Sequence, residues 1–159
     1  MTDKQKTYAL LKAQLDALLE GETDLICAMA NASAAIYETL PDLNWAGFYR
    51  VVDGGLILGP FQGRVACTRI ACGKGVCGTA MAAGEPQLVP DVHAFPGHIA
   101  CDSASNSELV IPIRNAAEEV QAVLDLDSPT LGRFDEEDLR GLLPVAALFT
   151  ALTEQPGRC

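Results

Sequence analysis

The spacing of apolar residues changes period twice along this chain, and that change restricts the fold more than any other feature. Near the start, Tyr8, Leu10, Leu11, Leu15, Leu18 and Leu19 recur at helical spacing until Gly21, and Thr2 with Gln5 forms a capping box that opens the run. A second helical run carries Leu25, Ile26, Met29, Ala30, Ile36 and Tyr37 and ends before Pro41; Cys27 falls inside it and reads as a core residue. From Asn44 the period drops to two. WAGFYRVV and LILGPF read as strands joined at the Asp53-Gly54-Gly55 turn, and RVACTRI reads as a third strand. Gly73-Lys74-Gly75 then leads into a short helix, VCGTAMAAG, closed by Gly84, and EPQLV is a further short strand. ELVIPIR and VQAVLDLDS are two more strands across the polar turn NAAEE, and helical spacing returns over residues 135–152.

This order predicts an α+β fold: an antiparallel sheet of five to six strands flanked by helices on both faces. The terminal helices would cover one face, and the middle helix with the long segment 90–107 would cover the other. A ligand pocket would lie under that segment, because unpatterned stretches of this length in compact domains commonly serve as lids. With 159 residues and 49% apolar composition, the chain fits one domain spanning 1–159. It contains no repeat and no linker.

Charge excludes whole classes of function. Eleven Lys and Arg stand against 21 Asp and Glu, a formal charge of −10, which opposes binding to nucleic acid or to an anionic membrane. No signal-peptide core opens the chain, and no stretch approaches the roughly 18 uninterrupted apolar residues of a membrane span. A cytoplasmic location is expected.

Six cysteines are many for a reducing compartment, where structural disulfides are rare. Zinc-type C-x2-C spacing is absent, since Cys67, Cys72 and Cys77 are evenly spread, so no metal is expected. Thiol redox or nucleophilic chemistry is then the best use for any accessible cysteine, with inert packing as the alternative for each. Two candidates stand level. Cys101 lies in the polar segment 90–107 beside His93, His98 and Asp102, although both histidines could equally serve to brace the loop. Cys77 follows Gly75 at a helix start near Lys74, and both features lower a thiol pKa.

Asp125 and Asp127 end an otherwise apolar strand, and their spacing puts both on one face. Either they cap the turn at Ser128-Pro129, or they await a ligand. Glu108 opens the preceding strand and would join them if the two strands pair. Three carboxylates around one pocket suit an α-ammonium group or supply a proton to a leaving oxygen.

Beyond these local readings, six stretches resemble the free methionine-(R)-sulfoxide reductases, which are single GAF domains: NWAGFY, LGPFQG, ACTRI, GVCGTA, DVHAFPGHIACDSASNSE and LDLDS. They cover most of the chain from Asn44 onward. The resemblance implies an oxidoreductase acting on a free amino-acid sulfoxide without a cofactor, with Cys101 as nucleophile, Cys67 as the main resolving thiol and Cys77 as a second thiol able to join disulfide exchange. It implies that Trp45 and Tyr49 form the wall receiving the S-methyl group, and that Glu108, Asp125 and Asp127 hold the ammonium and polarise the sulfoxide. Thioredoxin is the implied reductant, and the long terminal helices are compatible with a homodimer. Cys72 and Cys159 lie outside the family motifs, and the NAAEE turn reads as one residue longer than the family pattern. The main rival is a GAF module that senses a small ligand without turnover, since a fold alone does not set function. A structural or interaction domain with incidental cysteines is the other rival, and the acids at the strand ends disfavour it.

Overall fold

Capping side chains open the first two helices. Thr2 Oγ1 accepts the Gln5 amide at 3.1 Å while Gln5 Oε1 accepts the Thr2 amide at 3.0 Å, opening α1 (Asp3–Leu18). Asp24 accepts the Cys27 amide at 2.8 Å and opens α2 (Leu25–Thr39). In the computed structural model, which describes residues 1–99 and 101–153, the remaining elements follow in order. They are β1 (Trp45–Val52), β2 (Gly55–Gly63), β3 (Arg69–Ala71), α3 (Gly75–Ala83), β4 (Gln87–Val89), β5 (Ser107–Arg114), β6 (Val120–Ser128), α4 (Glu136–Ala147) and α5 (Thr150–Thr153). A 3-10 turn, Val92–Ala94, lies between β4 and β5.

The strands form one six-stranded antiparallel sheet in the order β3-β2-β1-β6-β5-β4, so the expected α+β architecture is the observed one. Alternation along the central strands sorts their side chains into two cores. Ala46, Phe48, Leu109, Ile111, Leu124 and Leu126 pack with α1, α2, α4 and α5 on one face. Trp45, Tyr49, Val110 and Val123 pack with α3 and Val92 on the other. The helices thus divide between the faces as the sequence order predicts.

Three expectations need correction. The third strand is shorter than RVACTRI: only Arg69–Ala71 pairs with β2, because the chain before it carries Cys67 across to a disulfide with Cys101, and Tyr49 Oη holds the Cys67 carbonyl at 3.0 Å. The last helix is two helices. The amides of Leu148 and Phe149 bond three residues back, to Val145 and Ala146, and this tighter turn sets the Phe149 ring 4.9 Å from Phe48 in the core. Cys27 is exposed rather than core. The buried stripe of α2 runs through Ala28, Met29, Ala32, Ser33, Ala35 and Ile36, and Cys27 lies beside it in the first turn, with Sγ 3.3 Å from Glu22 Oε2. Cys159 lies outside the described residues.

The helical layer is tied together by one buried carboxylate. Asp138 of α4 is fully buried and accepts Tyr8 Oη at 2.6 Å, Lys4 Nζ at 2.8 Å, Arg133 Nη1 at 3.2 Å and the Asp135 amide at 2.8 Å. Removing it would strand a buried hydroxyl and a guanidinium. We expect Asp138→Ala to lower the unfolding free energy by about 3 kcal/mol or more, seen as a lower urea midpoint at unchanged slope. Lys12→Ala, which breaks only the exposed pair with Asp16, should cost less than about 0.5 kcal/mol.

Candidate active site

Strand register brings the three acids together. Trp45 of β1 pairs with Asp127 of β6, which pairs with Glu108 of β5, so these three side chains form one row across the sheet. In the next row Gly47 pairs with Asp125 and Asp125 with Val110. Gly47 is required here, because a Cβ would run into the Cβ of Phe61 on β2. Phe61 therefore closes over β1 and stacks on Trp45 at 5.1 Å, and Tyr49 also stacks on Trp45, at 5.8 Å. Expectation and structure agree that Trp45 and Tyr49 stand beside Glu108, Asp125 and Asp127, and all five line one pocket.

That pocket has an electrostatic problem, since no Lys or Arg among the described residues lines it. Burial holds the Glu108 carboxyl well above the ordinary carboxylate range, reinforced by Asp125 and Asp127. Asp127 is pushed up for the same reason, with Asp125 as its next strongest neighbour. Burial raises Asp125 to about 6, opposed by hydrogen bonds with Glu108 and Cys77. Burial and the neighbouring acids thus favour the protonated forms of Glu108 and Asp127, while hydrogen bonds with Glu108 and Cys77 favour the charged form of Asp125. The Trp45 indole N–H and Asp125 Oδ1 are buried without a protein partner, which marks atoms a ligand or water must satisfy.

Cys77 departs from the reading made from its helix position. It is buried under α3, with Sγ 3.8 Å from Glu108 Oε1, and its thiol is held well above the usual range. Burial contributes most, followed by the charges of Asp125, Glu108 and Asp127. These outweigh whatever the start of α3 offers, and Lys74 makes no side-chain cap there. Cys77, Glu108 and Asp125 bring three donor atoms within 4.8 Å of one another, so a cationic group is what this floor of the pocket can accept.

Above the floor lies the disulfide. Cys67 and Cys101 are bonded, with Cα atoms 5.4 Å apart, and Cys101 lines the pocket. Its loop is pinned to the start of β1: Asn44 Nδ2 donates to Asp102 Oδ2 at 3.1 Å and to Ser105 Oγ at 3.0 Å, and Asp102 Oδ1 accepts the Ala104 amide at 2.9 Å. The two histidines divide the roles left open for them. His93 braces the loop through Asn106 Oδ1 at 2.9 Å, whereas His98 lines the pocket and is lowered by burial and by His93.

Sequence reasoning assigned no part to Asn44, Phe61 or Ile99. Asn44 and Phe61 lie inside quoted motifs, but only register shows that one anchors the Cys101 loop and the other backs Trp45. Ile99 closes the pocket over Gly75, where a Cβ would approach its side chain to 3.2 Å. A disulfide above acids whose protonated forms are favoured, beside an aromatic wall, is equipped for two-electron thiol chemistry on a small, partly cationic molecule.

Known proteins share this arrangement of elements. The GAF domain family model matches residues 28–153. The free methionine-R-sulfoxide reductase of Escherichia coli is 51% identical over 91% of this chain and 87% of its own length. The enzyme of the same name from Saccharomyces cerevisiae is 42% identical over 92% of this chain and 86% of its own length. Among solved structures, the free methionine-R-sulfoxide reductase from Neisseria meningitidis in complex with its substrate superimposes with a TM-score of 0.91 at 40% identity, covering 97% of this chain and 92% of that one. The chain belongs to the GAF-domain family and, within it, to the free methionine-R-sulfoxide reductases.

Proposed function

We propose that the chain reduces free methionine-(R)-sulfoxide to methionine, with Cys101 as the attacking sulfur. The observation that carries this reading is the Cys67–Cys101 disulfide at a pocket floored by Glu108, Asp125 and Asp127 and walled by Trp45 and Tyr49. The names of the E. coli and yeast relatives support the substrate.

The chemistry follows from the groups present. With the disulfide reduced, the Cys101 thiolate attacks the sulfoxide sulfur while a protonated carboxyl, best supplied by Glu108, hydrogen-bonds to the sulfoxide oxygen and protonates it. Methionine leaves, and Cys101 is left as a sulfenic acid. The Cys67 thiolate attacks that sulfur and water departs, leaving the disulfide. Two electrons have passed from two thiols to one sulfoxide. The charge on Asp125 complements the substrate ammonium, and the flat face of Trp45 receives the S-methyl group. Cys77, held as a neutral thiol, is a poor nucleophile in this state and acts at most as a late exchange partner. A dithiol protein, thioredoxin in a reducing cytoplasm, would reset the pair. A ligand sensor without turnover has no use for a disulfide beside a proton-loaded patch, and this disfavours the rival.

Two measurements test the thiol roles. In single-turnover assays Cys101→Ser should release no methionine, and Cys67→Ser should release about one equivalent and then stall. Normal methionine release by Cys101→Ser would overturn the assignment.

Glu108 makes a further prediction because its raised pKa bears on stability. A carboxyl whose folded pKa lies above its unfolded value of about 4.3 costs stability progressively as pH rises through that window, and the cost is fully present above the folded pKa. Glu108→Gln should therefore lower kcat by about 100-fold or more. It should also raise Tm by several degrees at pH 8 and by less at pH 4. Loss of activity with an equal Tm change at both pH values would contradict the proton-donor account.

A further inference from the structure

We propose that the surface around the Cys67–Cys101 disulfide is the docking site for an acidic dithiol protein, with Arg64 and Lys74 as its charged contacts and Val65 and Ile99 as its apolar rim. This rests on the reading that the disulfide is redox-active.

The chain is strongly acidic, yet residues 54–84 contain no Asp or Glu and three cations, Arg64, Arg69 and Lys74. All three are exposed and none makes an ion pair among the described residues. Arg64 and Val65 share an open cleft with Cys101, and Lys74 precedes Gly75, against which Ile99 packs. Asp102, the carboxylate in that cleft, is occupied by Asn44 and the Ala104 amide. Glu108 and Asp125 lie buried in the pocket beneath, with Asp127 half-buried beside them. Unpaired positive charge thus shares the cleft of Cys101 through Arg64, with Lys74 next to the Gly75 that Ile99 covers, and on so acidic a chain such charge steers a partner of opposite sign to this spot. Val65 is 87% exposed and Ile99 38% exposed, and both line the pocket that Cys101 lines. A protein face buries such groups, whereas a small thiol needs neither of them.

Exchange on this surface balances simply. A partner thiolate attacks one sulfur of Cys67–Cys101, that S–S bond breaks, and the other cysteine departs as thiolate. The partner's second thiolate then attacks the mixed disulfide, leaving the partner oxidised and both cysteines reduced, with two electrons transferred.

Arg69 supplies an internal control. It alternates with Ile70, which points into the pocket-side core, so it projects from the opposite face of β3. The experiment is stopped-flow reduction of the oxidised protein, without any sulfoxide, by a reduced acidic thioredoxin, by dithiothreitol and by glutathione. Arg64→Glu combined with Lys74→Glu should slow reduction by thioredoxin about 10-fold or more and abolish its dependence on ionic strength. The dithiothreitol and glutathione rates should stay within about two-fold, and Arg69→Glu should stay within about two-fold with all three. An unchanged thioredoxin rate in the double variant, an equal loss in Arg69→Glu, or an equal loss with glutathione would overturn the docking site. Because no sulfoxide is present, failure of the substrate assignment cannot produce or mask any of these outcomes.

Discussion

Gathering three carboxyl groups, Glu108 and Asp125 buried and Asp127 half-buried, in a pocket that no Lys or Arg lines among the described residues is the constraint on which the rest of this structure depends. Glu108, Asp125 and Asp127 are brought together by the antiparallel register of β5 and β6, which is held on its other face by Leu109, Ile111, Leu124 and Leu126. Protonation relieves the cost of such an arrangement, so the helical layer and core maintain a site in which the protonated forms of Glu108 and Asp127 are favoured. A sulfoxide oxygen needs such a proton donor when its bond to sulfur breaks. The same acids favour the protonated form of Cys77, which sets the buried thiol apart from the bonded pair Cys67–Cys101.

The two faces of the sheet therefore perform different tasks. The helix-covered face is apolar, and Asp138 is its main polar tie; four donors satisfy that side chain. The opposite face accepts unsatisfied groups, a buried thiol and like charges because a ligand is to complete it. Gly47, by leaving room for Phe61 against Trp45, shows how closely the aromatic wall is fitted to the strand beneath it.

Much of this was readable from residue spacing. The order of elements, the capping box at Thr2, the helical cover on both faces and the shared face of Asp125 and Asp127 all follow from local period and turn chemistry, which depend on neighbours in sequence. What escaped reading depends on contacts far apart in the chain. The shortening of β3 follows from a bond between Cys67 and Cys101, 34 positions apart. Cys27 was misplaced because an apolar run does not say which of its residues lies on the buried stripe. Cys77 was misjudged more instructively: helix position and Lys74 are visible in sequence, whereas the acids that raise its pKa come from β5 and β6. Choosing Cys101 over Cys77 rested on the family motifs; the structure adds that burial and the acids around Cys77 raise its thiol.

The central claim is that this site selects one epimer of a free amino-acid sulfoxide. The direct measurement is chiral chromatography of racemic free methionine sulfoxide, beside a peptide-bound sulfoxide, after incubation with the protein and dithiothreitol. The account predicts that the R epimer of the free amino acid disappears as methionine forms, while the S epimer and the peptide persist. Consumption of the S epimer, or of the peptide at a comparable rate, would contradict it.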